Sequence, residues 1–354
     1  MNRYWGELEH CARRFPCDGA EFTNIFPDCP PPNSRRRIRL ERIIHRYLVY
    51  PSRIKRVKNV DLFHLLDHSH AHLLRSVPAK TPIVATVFDV VPLRDPRSLW
   101  SHQVNRFRRS VQNLHRADIL IAVSHETATD LRRLLGIPAE RIRVVYPGTN
   151  MDKFGQPNKK ASPFNRISSD KKIVLSVGSA HPRKNLDSLA GIFGNLSDRF
   201  RKGEWVFVRV GGLLPAPVEQ AISEVIGANN LIQYGFLSDD EIIGAFQHAS
   251  VFIFPSVLEG FSFTMIESMA AGLPVIANQM STNVEVGQDA VAYYQDGDYA
   301  GAAAAIRRVL DDQSYANHLR EAGLNRSKAL SWANHWEGVK AVYREVLSAE
   351  ETIP

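Results

Sequence analysis

The chain has 354 residues, of which 44% are hydrophobic and 23% charged, and a formal net charge of +7. That length carries two domains of ordinary globular composition, each able to bury a core. No apolar run approaches the roughly 20 residues that span a bilayer, and the N-terminus lacks the apolar stretch of a signal peptide. The three cysteines, Cys11, Cys17 and Cys29, fit no zinc or redox spacing. Their odd number suits a reducing compartment, so a cytoplasmic protein is expected.

In chain order, MNRYWGELEHCARRF (1–15) is helix-like. Much of the positive charge falls in segment 35–58, RRRIRLERIIHRYLVYPSRIKRVK, where Ile38, Ile43, Ile44 and Tyr47 recur at loosely helical spacing. Such a segment can lie on an anionic membrane face, but a solvated basic helix with one core-facing stripe is the favoured reading. No nucleic-acid motif accompanies the charge, so no nucleic-acid partner is expected. VDLFHLL (60–66) and TPIVATVFD (81–89) predict strands, SHQVNRFRRSVQNLHRA (101–117) a helix, and DILIAVS (118–124) a buried strand. The helix HETATDLRRLLG (125–136) stops at Gly136, and RIRVVYPG (141–148) predicts another strand.

Composition then turns polar, and 151–171 is expected to be a linker between a first domain, 1–150, and a second, 172–330. Strands follow at KIVLSVG (172–178), WVFVRVGG (205–212), LIQYGF (231–236), VFIFPS (251–256) and PVIAN (274–278), with helices near 184–200, 216–227, 238–248 and 264–272. Short continuous Val/Ile runs between helices indicate parallel sheets covered on both faces. The fold class is therefore α/β, two Rossmann-like doubly wound domains, whose ligands bind at the carboxyl ends of the strands.

The most informative pair is Glu259 and Glu267, on the loop and first helical turns after VFIFPS. Carboxylates accept hydrogen bonds in pairs, which suits vicinal hydroxyls of a sugar or ribose. Loop amides and a helix start suit a phosphate. Four histidines, His64, His68, His70 and His72, invite a zinc reading, but no clear ligand geometry emerges and no metal site is expected.

Five ordered motifs then carry a resemblance: AVSHETATDLRRLLGIPAERIRVVYPGTN (122–150), VGSAHPRKN (177–185), YGFLSDDEI (234–242), EGFSFTMIE (259–267) and AAGLPVIA (270–277). The chain resembles the retaining glycosyltransferases of family 4, which have the GT-B fold of two facing Rossmann-like domains, over about Arg3 to Leu347. The resemblance implies a nucleoside-diphosphate-sugar donor, an acceptor hydroxyl, no cofactor and no metal. It assigns Arg183 and Lys184 to the donor diphosphate, Glu259 to the donor sugar and Glu267 to ribose hydroxyls. Phe261, Ser262, Phe263 and Thr264 match the loop whose amides approach sugar and phosphate, with Ser262 in place of the usual Gly. Gly178 would let the phosphate approach the backbone, and Phe236 and Leu237 lie in the nucleobase-side segment. Glu285 matches a position near the ribose or a structural cap.

On the acceptor side the resemblance points to Asp89; Asp67, His68 and Ser69 follow a predicted strand end, a place that suits either the acceptor cleft or a loop with capping residues. Phe88 replaces a His that commonly faces the reacting sugar. LSWANHWEGVKAVYREVL (330–347) resembles the closing helix that returns 331–354 to the first domain, with Trp332 and Trp336 as packing residues. The helix-like start matches the family's first helix and makes AEFTNIF (20–26) a second strand, with the first strand and its Gly-rich loop missing. The expected function is hexosyl transfer in polysaccharide or glycolipid assembly, from GDP-mannose to a polysaccharide or lipid-linked acceptor at the inner membrane face. The alternatives are a non-catalytic GT-B protein binding a nucleotide or partner, and an N-terminally truncated, poorly active form.

Overall fold

The computed structural model describes residues 2–15, 21–25, 43–95, 101–155, 163–165 and 167–351. The chain forms two compact units, Met1–Tyr146 with Trp332–Pro354, and Pro147–Ser331.

In unit 1 the strands β1 (Phe63–Leu65), β2 (Ile83–Val87), β3 (Ile119–Ala122) and β4 (Ile142–Val144) form a parallel sheet in consecutive order. Alternation along these strands sends side chains to two separate cores. Val84, Ile119 and Ile121 face helix α1 (Asn2–Arg14) and the C-terminal helix Trp332–Glu351. Tyr4, Leu8 and Cys11 of α1 lie one helical face apart and pack there with Trp332, Trp336 and Val339. Ala85, Val87, Leu120 and Ala122 face the other way, onto the 3-10 segment His68–Ser76 and the helices α2 (Tyr50–Arg56), α3 (Ser101–Val111) and α4 (His125–Leu135). Helix α4 is capped by Ser124, which accepts from Thr127 N, and ends at Gly136 in the left-handed region, where only a residue without Cβ sits at no cost.

Two expectations for this part of the chain are corrected or fall outside the description. AEFTNIF forms no strand at residues 21–25, while Ala20 and Phe26 lie outside the described residues. Instead, the Phe22 ring meets Trp336 edge-on (5.5 Å between centroids), so its apolar side chain serves the C-terminal helix rather than a sheet. Of the basic segment, residues 43–58 are described and 43–56 are helical, with a π-helical turn at His45–Val49.

In unit 2 six parallel strands, β5 (Lys172–Gly178), β6 (Trp205–Gly211), β7 (Leu231–Tyr234), β8 (Val251–Phe254), β9 (Val275–Asn278) and β10 (Val291–Tyr294), take the order β10-β9-β8-β5-β6-β7. The chain winds outward from β5 to β7, then returns to β8 beside β5 and winds the other way. This is a doubly wound sheet whose strand order reverses between β5 and β8. One face packs on α5 (Ser188–Gly194), α6 (Ala216–Ile226) and later helices through Leu189, Phe193, Ile222 and Ile306. On the other, Phe246 of α7 (Asp239–His248) meets the Phe252 ring at 5.6 Å. Helix α7 starts in a capping box, Ser238 and Glu241 bonding each other's backbone N–H.

The predicted helix near 184–200 is two pieces, α5 and Ser197–Arg201, because the backbone at Leu196 leaves the helical region (φ −127°, ψ 6°). Residues Met151–Phe154, expected in the linker, form a helical turn. Phe154 is buried there against Phe246, and Gln247 Nε2 donates to its carbonyl (3.0 Å). After β9 come α8's successors in the chain, but α8 itself (Phe263–Ala270) already follows β8; α9 (Ser281–Gly287), α10 (Tyr299–Asp311) and α11 (Gln313–Ala329) complete the unit.

Candidate functional site

The loops leaving β5 and β8 start from neighbouring strands, paired at Val174↔Val251 and Leu175↔Phe252, on the carboxyl side of the switch point. They are stitched together by the backbone: Val257 N donates to Arg183 O (2.9 Å), and Arg183 Nη1 donates to Leu258 O (2.9 Å). This fixes the PRK turn Pro182–Lys184 against the loop that carries Glu259.

Glu259 is 5% exposed, and its two carboxylate oxygens are divided between two cations. Oε2 pairs with Arg183 Nη1 and Oε1 with Lys184 Nζ. Thr282 Oγ1 donates to Glu259 O (3.0 Å), tying the loop to α9. Burial pushes the Lys184 ammonium below its ordinary range, and Glu259 works against that shift by holding the charged form. The Lys184 Nζ also sits 5.3 Å from the centre of the Phe254 ring, a cation–π contact at the end of β8.

Gly178 ends β5 at φ +136°, a conformation that side chains rarely adopt. A Cβ there would stand 3.8 Å from Lys184 Cε, so the lysine tail passes directly over this glycine. Its register partner Gly211 is tighter still: a Cβ on it would lie 2.5 Å from Gly178 O.

Beneath the same turn lies a residue that the sequence reading passed over. Arg209, in the middle of β6, is 1% exposed. Its guanidinium donates to Ser176 Oγ (3.0 Å), Gly178 O (2.6 Å), Ser179 O (2.8 Å) and Gly212 O (3.2 Å). All four acceptors are neutral, and burial pushes its pKa down to about 10. The signal was a lone cation inside the apolar run WVFVRVGG.

Past Glu259, Phe261 and Ser262 are buried, and the Phe261 and Phe263 rings meet edge-on at 5.0 Å. Ser262 Oγ donates to Asn283 Oδ1 (2.7 Å), and Asn283 Nδ2 donates to Asn278 O (2.9 Å). The Cβ that replaces the family's glycine therefore turns inward, onto α9. Thr264 is half-buried in the first turn of α8, and Glu267 is 6% exposed one turn later. Glu285 is half-buried on α9, where its carbonyl accepts from Arg326 Nη2 (3.1 Å). Phe236 and Leu237 follow β7, two strands from β5, and the Phe236 ring is 93% exposed.

The acceptor-side candidates belong to unit 1. Asp89 Oδ1 accepts from Val91 N (3.0 Å), capping the turn Val91–Arg94. Phe88, in place of the family's histidine, packs edge-on against Tyr4 (5.0 Å). His68 is 7% exposed; its Nδ1 accepts from Phe88 N (3.3 Å), and its ring meets Phe107 at 5.9 Å. Asp67 caps the 3-10 segment by accepting from Ser69 N. The other histidines diverge: His64 bonds Thr86 and Tyr343, His70 meets Ser69, and His72 donates to Arg46 O. Among the described residues no group of three or more His, Cys, Asp or Glu side chains is placed to hold a metal.

Two family models tile this architecture. "Glycosyltransferase Family 4" matches residues 10–153, and "Glycosyl transferases group 1" matches 157–326. The chain belongs to the group 1 glycosyltransferases of family 4. Among curated relatives of this chain is the serotype-specific mannosyltransferase WbdA of Escherichia coli, 24% identical over 78% of this chain and 35% of that one. The O-antigen chain mannosyltransferase B of Escherichia coli is 24% identical over 66% of this chain and 63% of its own. The chain thus spans about a third of the length of WbdA. Among solved structures, sucrose-phosphate synthase from Thermosynechococcus elongatus superposes with a TM-score of 0.74 at 20% identity, covering 98% of this chain and 94% of that one. The likeness to such structures establishes the GT-B fold of this chain. Among its described residues no helix is long and apolar enough to cross a membrane.

Proposed function

We propose that this chain transfers a hexosyl group from a nucleoside-diphosphate-sugar to an acceptor hydroxyl with retention of configuration. The observation that supports it best is Glu259 paired with both Arg183 and Lys184 at the switch point of the unit 2 sheet. A donor diphosphate takes over the two cations and frees the carboxylate to accept hydroxyls of the donor sugar. As the glycosidic bond breaks, negative charge grows on the leaving phosphate, and Arg183 and Lys184 stabilise it, one as a fork and the other as a point charge. Gly178 lets the diphosphate reach the backbone, and the Phe261–Thr264 amides and the start of α8 add donors. Glu267 accepts from the ribose, while the exposed Phe236 ring and Leu237 offer a face to the base.

The departing phosphate receives the proton of the incoming hydroxyl on the same face, so the protein's share is orientation and electrostatics. The nucleotide-sugar is a substrate, and the reading calls for no further cofactor or metal. The names of the Escherichia coli relatives support mannosyl transfer in polysaccharide assembly. Asp89 and His68 are assigned to the acceptor side. The helical segment 43–56 exposes Ile43, Ile44, Tyr47 and Leu48 beside Arg46, Arg53, Lys55 and Arg56, which supports docking on an anionic inner membrane face.

A second reading, nucleotide binding without turnover, is favoured by Phe88, whose ring packs on Tyr4 where the family has its histidine. NMR of the anomeric product formed from GDP-mannose and a sugar acceptor decides between them. An α-linked product from the α-donor supports transfer with retention; donor binding without product supports the second reading.

A further inference from the structure

Unit 1 contains a cavity of about 590 Å³ that none of the residues considered so far as donor site line. It lies between the π-helical turn His45–Val49, the 3-10 segment His68–Ser76 and helix α3. Arg46, Arg75, Arg106 and Arg109 line it together with His72 and Ser110. None of the described residues lining it is acidic. The nearby Asp67 carboxylate is engaged by Ser69, through both its N–H and its Oγ.

Four arginines therefore raise the positive potential on one side of unit 1, two of them, Arg106 and Arg109, exposed to solvent. Arg46 Nη2 donates to Ser69 O, which fixes that guanidinium against the 3-10 segment. Arg75 Nε donates to Asn113 Oδ1 (2.5 Å), which aligns that guanidinium without neutralising it. Burial first, and then Arg46, His70 and Arg75, hold the His72 imidazole below its ordinary range, against the bond to Arg46 O. Tyr47 and Phe107 add ring surface to the wall. Phe107 meets His68, whose Nδ1 accepts from Phe88 N, so the cavity adjoins the acceptor-side residues of unit 1.

We propose that this cavity binds a phosphoryl or diphosphoryl group carried by the acceptor. Guanidiniums match phosphate oxygens as planar forks. The proposal rests on the glycosyltransferase reading for the word acceptor; the anion site itself does not.

The test titrates inorganic pyrophosphate into the full chain carrying Arg183→Ala, which removes a cation from the diphosphate site of unit 2. The same titration is repeated with Arg106→Gln and Arg109→Gln added; both side chains are exposed, so the fold is retained. Pyrophosphate binding that weakens by about tenfold or more with the two glutamines supports the site. Absent binding, or equal binding in both proteins, overturns it. Farnesyl diphosphate is the second probe. Tighter binding than pyrophosphate assigns the group to a lipid-linked acceptor, and equal binding to a soluble phosphorylated one. A nucleoside diphosphate titrated into the unsubstituted chain is read separately. Its failure removes the donor reading and leaves the unit 1 anion site standing, whereas indifference to Arg106 and Arg109 removes the site alone.

Discussion

Lys184 Nζ donates to Glu259 Oε1 at 2.5 Å, while the second oxygen of the same carboxylate is held by Arg183. The carboxylate thereby occupies both cations that a diphosphate would need. It keeps two partly buried positive groups oriented at low electrostatic cost; under the proposed function a diphosphate displaces it.

Glu259→Gln therefore separates binding from turnover. The amide keeps the shape but not the charge, so nucleoside diphosphate binds this variant at least as tightly as the unsubstituted chain. Transfer falls by about 100-fold or more, the scale on which single electrostatic contacts act in transition states. Binding calorimetry and product NMR on the same preparation check both halves. Weaker diphosphate binding with unchanged turnover contradicts the assignment.

Arg209 holds three backbone carbonyls of the turn under the same loop. Arg209→Leu leaves them without a donor in a buried place. The expected loss is about 3 kcal/mol of stability by urea titration, since each unpaired buried polar group costs about 1–3 kcal/mol. An unchanged midpoint would show that water replaces the guanidinium.

Ser262→Gly tests the departure from the family's glycine. The hydroxyl bonds Asn283 and the Cβ faces α9, so the glycine variant loses about 1 kcal/mol of stability. Its preference among donor sugars stays as it was; a changed preference measured by competition would place the side chain in the sugar pocket after all.

Two histidines in unit 1 give the stability a pH dependence. His335 Nδ1 donates to Tyr146 O (2.9 Å), and its Nε2 accepts from the Tyr4 hydroxyl (2.8 Å). Burial pushes His335 down to about 4, against that bond to Tyr146, and burial with the nearby His335 pushes His64 down to about 3. In the unfolded chain a histidine takes up its proton near pH 6.5. Between about pH 6.5 and 4 the unfolded state thus binds more protons than the folded one, and stability falls as pH falls through that window. The slope is about 1.4 kcal/mol per pH unit for each histidine. Above pH 7 these two groups contribute no slope. Urea midpoints from pH 7.5 to 4.5, compared with His335→Gln, should give a shallower decline in the variant; equal slopes would contradict the neutral buried pair.

How much of this was legible in the chain follows from which interactions are local. The strands from β2 to β9 announced themselves as Val/Ile runs, because strands covered on both faces need no polar alternation. KIVLSVG reproduces β5 to the residue. The pairing of Arg183 and Lys184 with Glu259 joins residues that the sequence offered as candidates, since they sit on loops whose motifs are contiguous. AEFTNIF misled because its aromatic and β-branched residues have strand propensity, yet Phe22 finds its partner in Trp336, more than three hundred positions away. Tertiary packing decided that segment, as it often does for strand propensity. Arg209 escaped for the opposite reason: a cation in a strand reads as exposed, and only the two glycine-rich turns around it make it an interior clamp. The arginine cavity of unit 1 joins Arg46, Arg75 and Arg109 from three separate segments, and no local pattern encodes it.

The central claim is that Arg183 and Lys184 hold the diphosphate of a nucleotide-sugar. The most direct measurement is a thermal-shift panel of UDP-, GDP-, ADP- and dTDP-sugars on the full chain, with Arg183→Ala and Lys184→Ala alongside. The account predicts that one donor series raises the melting temperature in proportion to its concentration, and that either alanine abolishes the shift. A folded protein that responds to none of the donors, or that responds equally without the two cations, would contradict it.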